Sequence, residues 1–341
     1  MRRLRIAVLM DKDLIPPETI ERVSDKEMAP WKTEYDVLVT LKEMGHHADV
    51  VGIGGDLSAL STACETLRPD IVFNLLEEFR GLRIHVPYVL GYLELTGLAY
   101  TGCGPNGMIL AHSKALANRL LRAHRVRAPD FVMFERGRRV RHLRRLGFPL
   151  LVKSATEHGS QGISQASVVR DEAQLKDRVE FVHDQLQTSA VAEQYIEGRE
   201  FYVGVIGNRR LQTFPIWELT FRNLPDNAPN IATAKVKWDQ AYQEKSGVAT
   251  QRAKDLPGDL EARIRRTCKR VYRTLGQNGY ARIDLRLSPD GAVYVLECNP
   301  NPQLAYGEDF AESAESMGIS YDKLLQRIVN LGLRYTTHPK E

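Results

Sequence analysis

Apolar positions recur with two different periods along the first hundred residues. Arg5-Ile-Ala-Val-Leu9 is a compact apolar run, Ala48 to Ile53 and Ile71 to Leu75 are two more, and runs this short between polar stretches predict buried strands. From Thr33 the pattern changes. Tyr35, Leu38, Val39, Leu41 and Met44 fall at helical spacing and Gly45 supplies a stop, so a helix is expected there and another around Leu57 to Leu67, ended by Pro69. Strand and helix in alternation are the mark of a parallel α/β layer. Thr101-Gly-Cys-Gly-Pro-Asn-Gly107 then packs three glycines and a proline into seven positions, a linker signal that closes a first unit at 1–103.

Further along, a helix holding Lys114 and Leu116 to Leu121 precedes short strands at Asp130 to Phe134 and Phe148 to Lys153. Beyond Val191 the expected strands are longer and pair through turns: Val191 to Ile196, Glu200 to Ile206, Leu211 to Pro215, Ile283 to Leu287 and Ala292 to Cys298. Helices are expected at Leu260 to Leu275 and Tyr321 to Leu331.

Composition narrows the class. The 341 residues are 43% hydrophobic and 26% charged, which excludes a disordered or collagenous chain and suffices for two or three domains. The opening apolar run, Ile6 to Met10, is too short for a signal-peptide core or a membrane span, so a cytoplasmic protein without membrane association is expected. Cys64, Cys103, Cys268 and Cys298 are scattered without a C-x-x-C pair, which argues for reduced, packed thiols. A net charge of +4 arises from 47 basic and 43 acidic residues interspersed, a weak field that suits a small anionic ligand better than nucleic acid. Arg136 to Arg145 is rich in arginine and reads as a solvated helix face, with a patch for an anion or an acidic partner as the alternative.

The densest chemistry lies in Gly279-Tyr-Ala-Arg-Ile-Asp-Leu-Arg-Leu-Ser-Pro-Asp-Gly-Ala-Val-Tyr-Val-Leu-Glu-Cys-Asn-Pro-Asn301. Pro-Asp-Gly between alternating apolar runs signals a hairpin. Pairing symmetric about the Asp290–Gly291 bond sets Asp284 against Glu297 and Arg282 against Asn299, four polar residues on one face. Opposed carboxylates repel unless a cation lies between them, and two carboxylates with an amide oxygen suit Mg²⁺ held jointly with phosphate. A three-residue turn with Gly291 in a bulge is the alternative, and it shifts one strand by a residue. Upstream, Phe148-Pro-Leu-Leu-Val-Lys153 is followed by Thr156-Glu-His-Gly-Ser-Gln-Gly162, a glycine-bearing loop after a strand that can turn N–H groups toward phosphate beside Lys153. It matches neither the P-loop nor the Rossmann pattern. In Val191-Ala-Glu-Gln-Tyr-Ile-Glu-Gly-Arg-Glu200, the carboxylates of Glu193 and Glu200 are candidate acceptors for an amine and for hydroxyls.

Taken in order, Lys114, Lys153 with its glycine loop, Glu193 to Glu200, a loop carrying Lys237, and Arg282-x-Asp284 followed by Glu297-x-Asn299 resemble the ATP-grasp superfamily, and within it the D-alanine–D-alanine ligase branch. The resemblance implies a three-domain α/β fold, with a central domain at 104–192, a C-terminal domain of α+β character at 193–341, and ATP between those two. It implies that Lys114 and Lys153 hold ATP phosphates and that Glu157, Ser160, Gln161 and Gly162 close over them. Glu193 would meet adenine and Glu200 the ribose, with Tyr195 and Ile196 walling the pocket. Lys237, beside Trp238, would reach the γ-phosphate from a mobile loop, Asp284, Glu297 and Asn299 would hold Mg²⁺, usually two ions, and Arg282 would stabilise a tetrahedral oxyanion. The implied reaction activates a small carboxylate as an acylphosphate for attack by an amine, yielding an amide, ADP and phosphate, in a protein expected to be a homodimer.

Both substrate pockets depart from that branch. Its N-terminal Gly-Gly-x-Ser-x-Glu loop is replaced by Met10-Asp-Lys-Asp13, and its loop serine and partner tyrosine fall at Gly159 and Trp238. Leu76-Glu-Glu-Phe-Arg80 stands for a different polar set, a glycine that donates to the oxyanion falls at Gln303, and a carboxylate-binding Ser-Leu falls near Gly307-Glu-Asp309. Candidate substrate residues are therefore Glu77, Glu78, Gln303, Glu308 and Asp309, whose acids favour a cationic amine substrate or one without a carboxylate at that place. The alternatives are a true D-alanine–D-alanine ligase, an ATP-grasp phosphotransferase, and a non-catalytic nucleotide-binding module.

Overall fold

The computed structural model describes residues 2–20, 23–138, 140, 146–156, 162–225 and 229–335, leaving aside the side chains of Asp25, Lys237, Trp238 and Gln240. Three sheets organise these residues. The first is parallel, in the order β2-β1-β3, from β1 (Arg5–Asp11), β2 (His47–Ile53) and β3 (Ile71–Asn74). β1 is buried from Ile6 to Met10 because helices cover both faces. Ala7 and Leu9 meet helices Ser58–Leu67 and Val86–Leu95, whereas Ile6, Val8 and Met10 share a core with helix Lys32–Glu43 and helix Tyr321–Leu333. The closing helix, assigned from sequence to the unit 193–341, thus completes the core of the N-terminal sheet through Leu324, Leu325, Ile328 and Val329.

The second sheet is antiparallel, ordered β4-β7-β5-β6, from β4 (Phe131–Phe134), β5 (Leu150–Ser154), β6 (Val168–Val169) and β7 (Ala190–Gln194). Helix Glu172–Gln185 covers it with Leu175, Val179 and Val182. β7 runs through the expected 192/193 boundary, since its pairing with β5 continues to Gln194. The third sheet, β11-β10-β8-β12-β13 with β9 beside β8, comprises β8 (Arg199–Ile206), β9 (Gln212–Thr213), β10 (Trp217–Thr220), β11 (Ala249–Arg252), β12 (Tyr280–Leu287) and β13 (Val293–Pro300). Helix Gly258–Thr274 packs Ile264, Cys268, Val271 and Tyr272 against Val203, Val205, Ile283 and Leu285. All four cysteines are free thiols, and Cys103, Cys268 and Cys298 are buried. Among the described residues no helix is long and apolar enough to cross a membrane. Of the arginine-rich run, Arg139 and 141–145 lie outside the described residues, and Arg136 bonds Gln187.

Candidate active site

The β12–β13 hairpin carries most of the polar chemistry, and its register contains both readings of the sequence. Ser288 N–H donates to Ala292 O at 2.9 Å and Gly291 N–H to Ser288 O at 2.9 Å, with Gly291 at φ +80°, so the turn takes the three-residue form. That turn sets Leu287 opposite Val293 and Leu285 opposite Val295. β13 then inserts Leu296 as a bulge, and the second shift cancels the first. Asp284 therefore opposes Glu297 and Arg282 opposes Asn299, as symmetric pairing demanded, though by a different route.

The Arg282 guanidinium grips Asp284 through Nε–Oδ1 at 2.8 Å and Nη2–Oδ2 at 3.0 Å, while Asn299 Nδ2 donates to Asp284 Oδ2 at 3.0 Å. Arg282 also stacks 4.7 Å from the Tyr202 ring centroid and has Nη1 4.0 Å from Asp309 Oδ2. Burial disfavours its charge, but Asp284 and Asp309 outweigh burial and hold its pKa above the ordinary arginine value. Lys114, at the first turn of helix Lys114–Ala123 behind the Ser113 N-cap, lies 3.7 Å from Glu297 Oε1. Cations thus face both opposed carboxylates.

Strand alternation extends the row. Arg286, two residues beyond Asp284, opposes Glu200 of β8 and bonds its Oε2 through Nη2 at 2.7 Å and Nε at 3.3 Å. Tyr202 donates its hydroxyl to Glu200 Oε1 at 2.9 Å, and Arg286 Nη1 reaches Ile196 O at 2.8 Å. Neither Arg286 nor Tyr202 was anticipated, yet the period-two pattern Arg282, Asp284, Arg286 already placed Arg286 on the polar face. On the second sheet, Lys153 Nζ pairs with Glu193 Oε2 at 2.7 Å, and both residues are buried. Burial presses the Lys153 pKa down, but Glu193, Glu297 and Glu200 carry it above the ordinary lysine value, so the ammonium persists. Gly198, at φ +128°, makes the turn before Glu200, where a Cβ would come 1.9 Å from Leu287 O.

Two cavities meet at this hairpin. A small one of about 90 Å³ lies between the second and third sheets and is lined by Lys153, Glu193, Tyr195, Ile196, Glu200, Asp284, Arg286 and Glu297. A large one of about 1300 Å³ opens on the other side toward the first sheet, lined by Glu77, Arg282, Asn299, Gln303, Glu308 and Asp309 among others. Glu297 lines both.

Other expected residues fall differently. Glu78 is exposed and is absent from the lining of either cavity. Glu77 pairs with Arg83 at 2.6 Å. Glu308 is the N-cap and Asp309 the first residue of helix Asp309–Glu315, where the positive end of the helix favours acids. Lys237 and Trp238 belong to helix Ala234–Trp238, not to a loop. Glu157, Gly159, Ser160 and Gln161 lie outside the described residues, while Gly162 accepts a hydrogen bond from Arg178.

As to Mg²⁺, among the described residues no group of three His, Cys, Asp or Glu side chains can hold a metal ion. The hairpin supplies fewer acids, two opposed carboxylates and one amide, each a hard oxygen donor. Such a set fits an ion that keeps waters and draws its remaining ligands from substrate phosphates.

Three sheets with a small cleft between the second and third and acids on a hairpin beside it define an ATP-grasp fold. The structure is similar to that of D-alanine–D-alanine ligase from Bacillus anthracis solved with ATP, with a TM-score of 0.75 at 22% identity over 97% of this chain and 98% of that one. The family model described as D-ala D-ala ligase C-terminus matches residues 120–330, and the chain belongs to that family. Relatives include an uncharacterized protein, y4sG, of Sinorhizobium fredii, 29% identical over 89% of this chain and 89% of its own. A D-alanine–D-alanine ligase of Oleidesulfovibrio alaskensis is 28% identical over 89% of this chain and 94% of its own. The protein is an ATP-dependent, ADP-forming carbon–nitrogen ligase of the ATP-grasp type.

Proposed function

We propose that the protein joins a small carboxylate, an amino acid or short peptide, to an amine other than D-alanine through an acylphosphate. The observation that carries this reading is Glu297, which lines both the small cavity and the large one beside Arg282. A phosphoryl group passed across that wall leaves ATP on one side and reaches a carboxylate on the other.

In this reading Glu193 and Glu200 accept hydrogen bonds from adenine and ribose, Tyr195 and Ile196 wall the base, and Lys114 and Lys153 bind phosphate oxygens. The same reading gives Lys237, Glu157, Ser160, Gln161 and Gly162 roles as further phosphate-binding residues. Asp284, Glu297 and Asn299 would hold Mg²⁺, two ions in this reading, and the metal would supply charge neutralisation on the phosphoryl oxygens. A carboxylate resists attack because its charge repels nucleophiles and its oxygen leaves poorly. Phosphorylation removes both faults. Arg282, preorganised by Asp284 and Tyr202, offsets the oxyanion formed when the amine attacks, and phosphate then departs.

The substrate reading rests on the altered pocket residues. The branch's loop glutamate is absent at Met10-Asp-Lys-Asp13, Gln303 replaces the oxyanion glycine, and Glu308 and Asp309 occupy the place of a carboxylate-binding pair. Arg282 lies 4.0 Å from Asp309 and, with Lys32, also acts on Glu308, so the two acids share the repulsion toward an anion. We further read the three sheets as three domains, the middle one extended to Gln194, in a cytoplasmic homodimer, a state that sedimentation reports directly.

The test is ADP and phosphate release with Mg²⁺ and ATP against single and paired amino acids, D-alanine included, with mass spectrometry of the products. Release with another pair and silence with D-alanine supports the reading. A dipeptide from D-alanine alone overturns it in favour of D-alanine ligation, and ADP formation without stoichiometric free phosphate indicates a phosphotransferase.

A further inference from the structure

Glu34 is a carboxylate without a counter-charge. It lies in the first turn of helix Lys32–Glu43 and, at 4% exposure, is buried with Val37, Leu38 and Leu41 on one face of that helix. It forms no ion pair among the described residues, its own backbone N–H is its hydrogen-bond donor, and its nearest charged influence is another acid, Glu77. The cations that share its cavity are engaged elsewhere. Lys32 Nζ is 2.6 Å from Asp36 and 2.5 Å from Tyr306 O, Arg83 is held by Glu77, and Arg282 by Asp284. Lys26 stands exposed at the rim.

A carboxylate removed from water costs several kcal/mol unless it is paired or protonated. A structural role does not account for this one, because a glutamine or an apolar residue would fill the same helix face without that cost. What distinguishes the site is access. Glu34 lines the large cavity that Arg282, Asn299 and Glu297 also line, so its remaining acceptor capacity opens toward the space a substrate fills. We propose that Glu34 is the receptor for a protonated amine on the amino-acid substrate, a salt bridge completed by the substrate itself. The inference rests on the ligase reading, in that the large cavity is taken as the substrate site. It assigns specificity to a helix of the N-terminal sheet, whereas of the residues singled out from sequence Glu77, Glu78 and Gln303 lie outside helices and strands, and Glu308 and Asp309 lie at the start of helix Asp309–Glu315. The chemical class selected is a cationic α-amino compound over an uncharged hydroxy counterpart of the same shape.

The experiment compares the wild type with Glu34→Gln in phosphate release with Mg²⁺ and ATP, using free α-amino acids and their 2-hydroxy analogues. The expected result is a KM for the productive amino acid raised roughly 10- to 100-fold in the variant, with the KM for ATP unchanged and the preference for amino over hydroxy narrowed. An unchanged KM and preference overturns the assignment. Silence of the wild type across the panel counts against the ligase reading, and the Glu34 assignment is then decided by melting temperature with the same compounds. Amino acids that raise the melting temperature of the wild type but not of Glu34→Gln sustain it, and equal shifts, or none in either protein, overturn it. Should the glutamine variant not fold, Glu34→Asp, which keeps the charge on a shorter stem, is expected to keep the preference while raising KM.

Discussion

Arg286 and Glu200 face each other across β12 and β8 as a buried ion pair, with Nη2 2.7 Å and Nε 3.3 Å from the same carboxylate oxygen. The pair lines the small cavity, and the Tyr202 hydroxyl takes the other oxygen, so Glu200 is fixed in orientation before any ligand enters. Removing the cation alone leaves a buried anion. Arg286→Met is expected to cost about 3 to 5 kcal/mol in urea denaturation, and much of the loss should return in Arg286→Met/Glu200→Leu, where both charges are gone. A single variant as stable as the wild type would show that the pair contributes nothing to the fold.

Arg282 performs a different task with similar geometry. Its two parallel bonds to Asp284 aim the guanidinium over Tyr202 and into the large cavity. Lysine keeps the charge but loses the fork. Arg282→Lys is expected to lower kcat by roughly 10²- to 10³-fold, as for loss of one oxyanion donor, with little change in the KM for ATP. Steady-state kinetics that showed the loss in KM instead would place Arg282 in substrate binding and not in the acyl-transfer step.

How far the site was legible follows from these residues. Asp284 opposite Glu297 was readable because the hairpin signal and strand alternation are local rules. The bulge at Leu296 was not, since a bulge is set by packing across the sheet and leaves the apolar alternation of Val293 and Val295 intact. Arg286 shares the polar face by the same alternation, yet an arginine in a strand looks like a solvated edge until its partner on β8, more than eighty residues away in sequence, is known. Glu34 is the instructive case. It stands three, four and seven residues before Val37, Leu38 and Leu41, so helical spacing alone placed an acid on the buried stripe. The fold followed the same logic. β1 and helix Lys32–Glu43 carry strong periodicity, whereas β10 and β11, four residues each of mixed polarity, owe their form to pairing with β8 and with each other. The return of helix Tyr321–Leu333 to the N-terminal sheet is a long-range contact that no local pattern encodes.

The opposed acids bear on Mg²⁺. Glu297 lines both cavities, whereas Asp284 lines the small one and is held by Arg282 and Asn299. An ion bound between nucleotide and carboxylate substrate would therefore draw more on Glu297. Glu297→Gln should raise the Mg²⁺ concentration needed for half-maximal ADP release more than Asn299→Ala does, and chelation by EDTA should abolish release in the wild type. A Glu297→Gln protein with an unaltered Mg²⁺ titration would remove this residue from the metal site.

Glu34 also makes a prediction that needs no substrate. Burial, with Glu77 adding to it, pushes its carboxyl up to about 7 from an ordinary value of 4.5. Between those two values the folded protein binds a proton there that the unfolded chain has released, so folding weakens as pH rises through the window. The contribution is fully present below 4.5 and is lost above 7, and its size is on the order of 3 kcal/mol. Glutamine does not titrate. The stability of Glu34→Gln minus that of the wild type should climb from near its low-pH value to that much more in the variant's favour at pH 8. Because Lys32, Asp36, Glu77, Arg83 and the other charged groups are common to both proteins, their titrations largely cancel in the difference. Urea denaturation at intervals between pH 4.5 and 8 measures it, and a difference that stays flat would mean that Glu34 is already compensated in the folded chain.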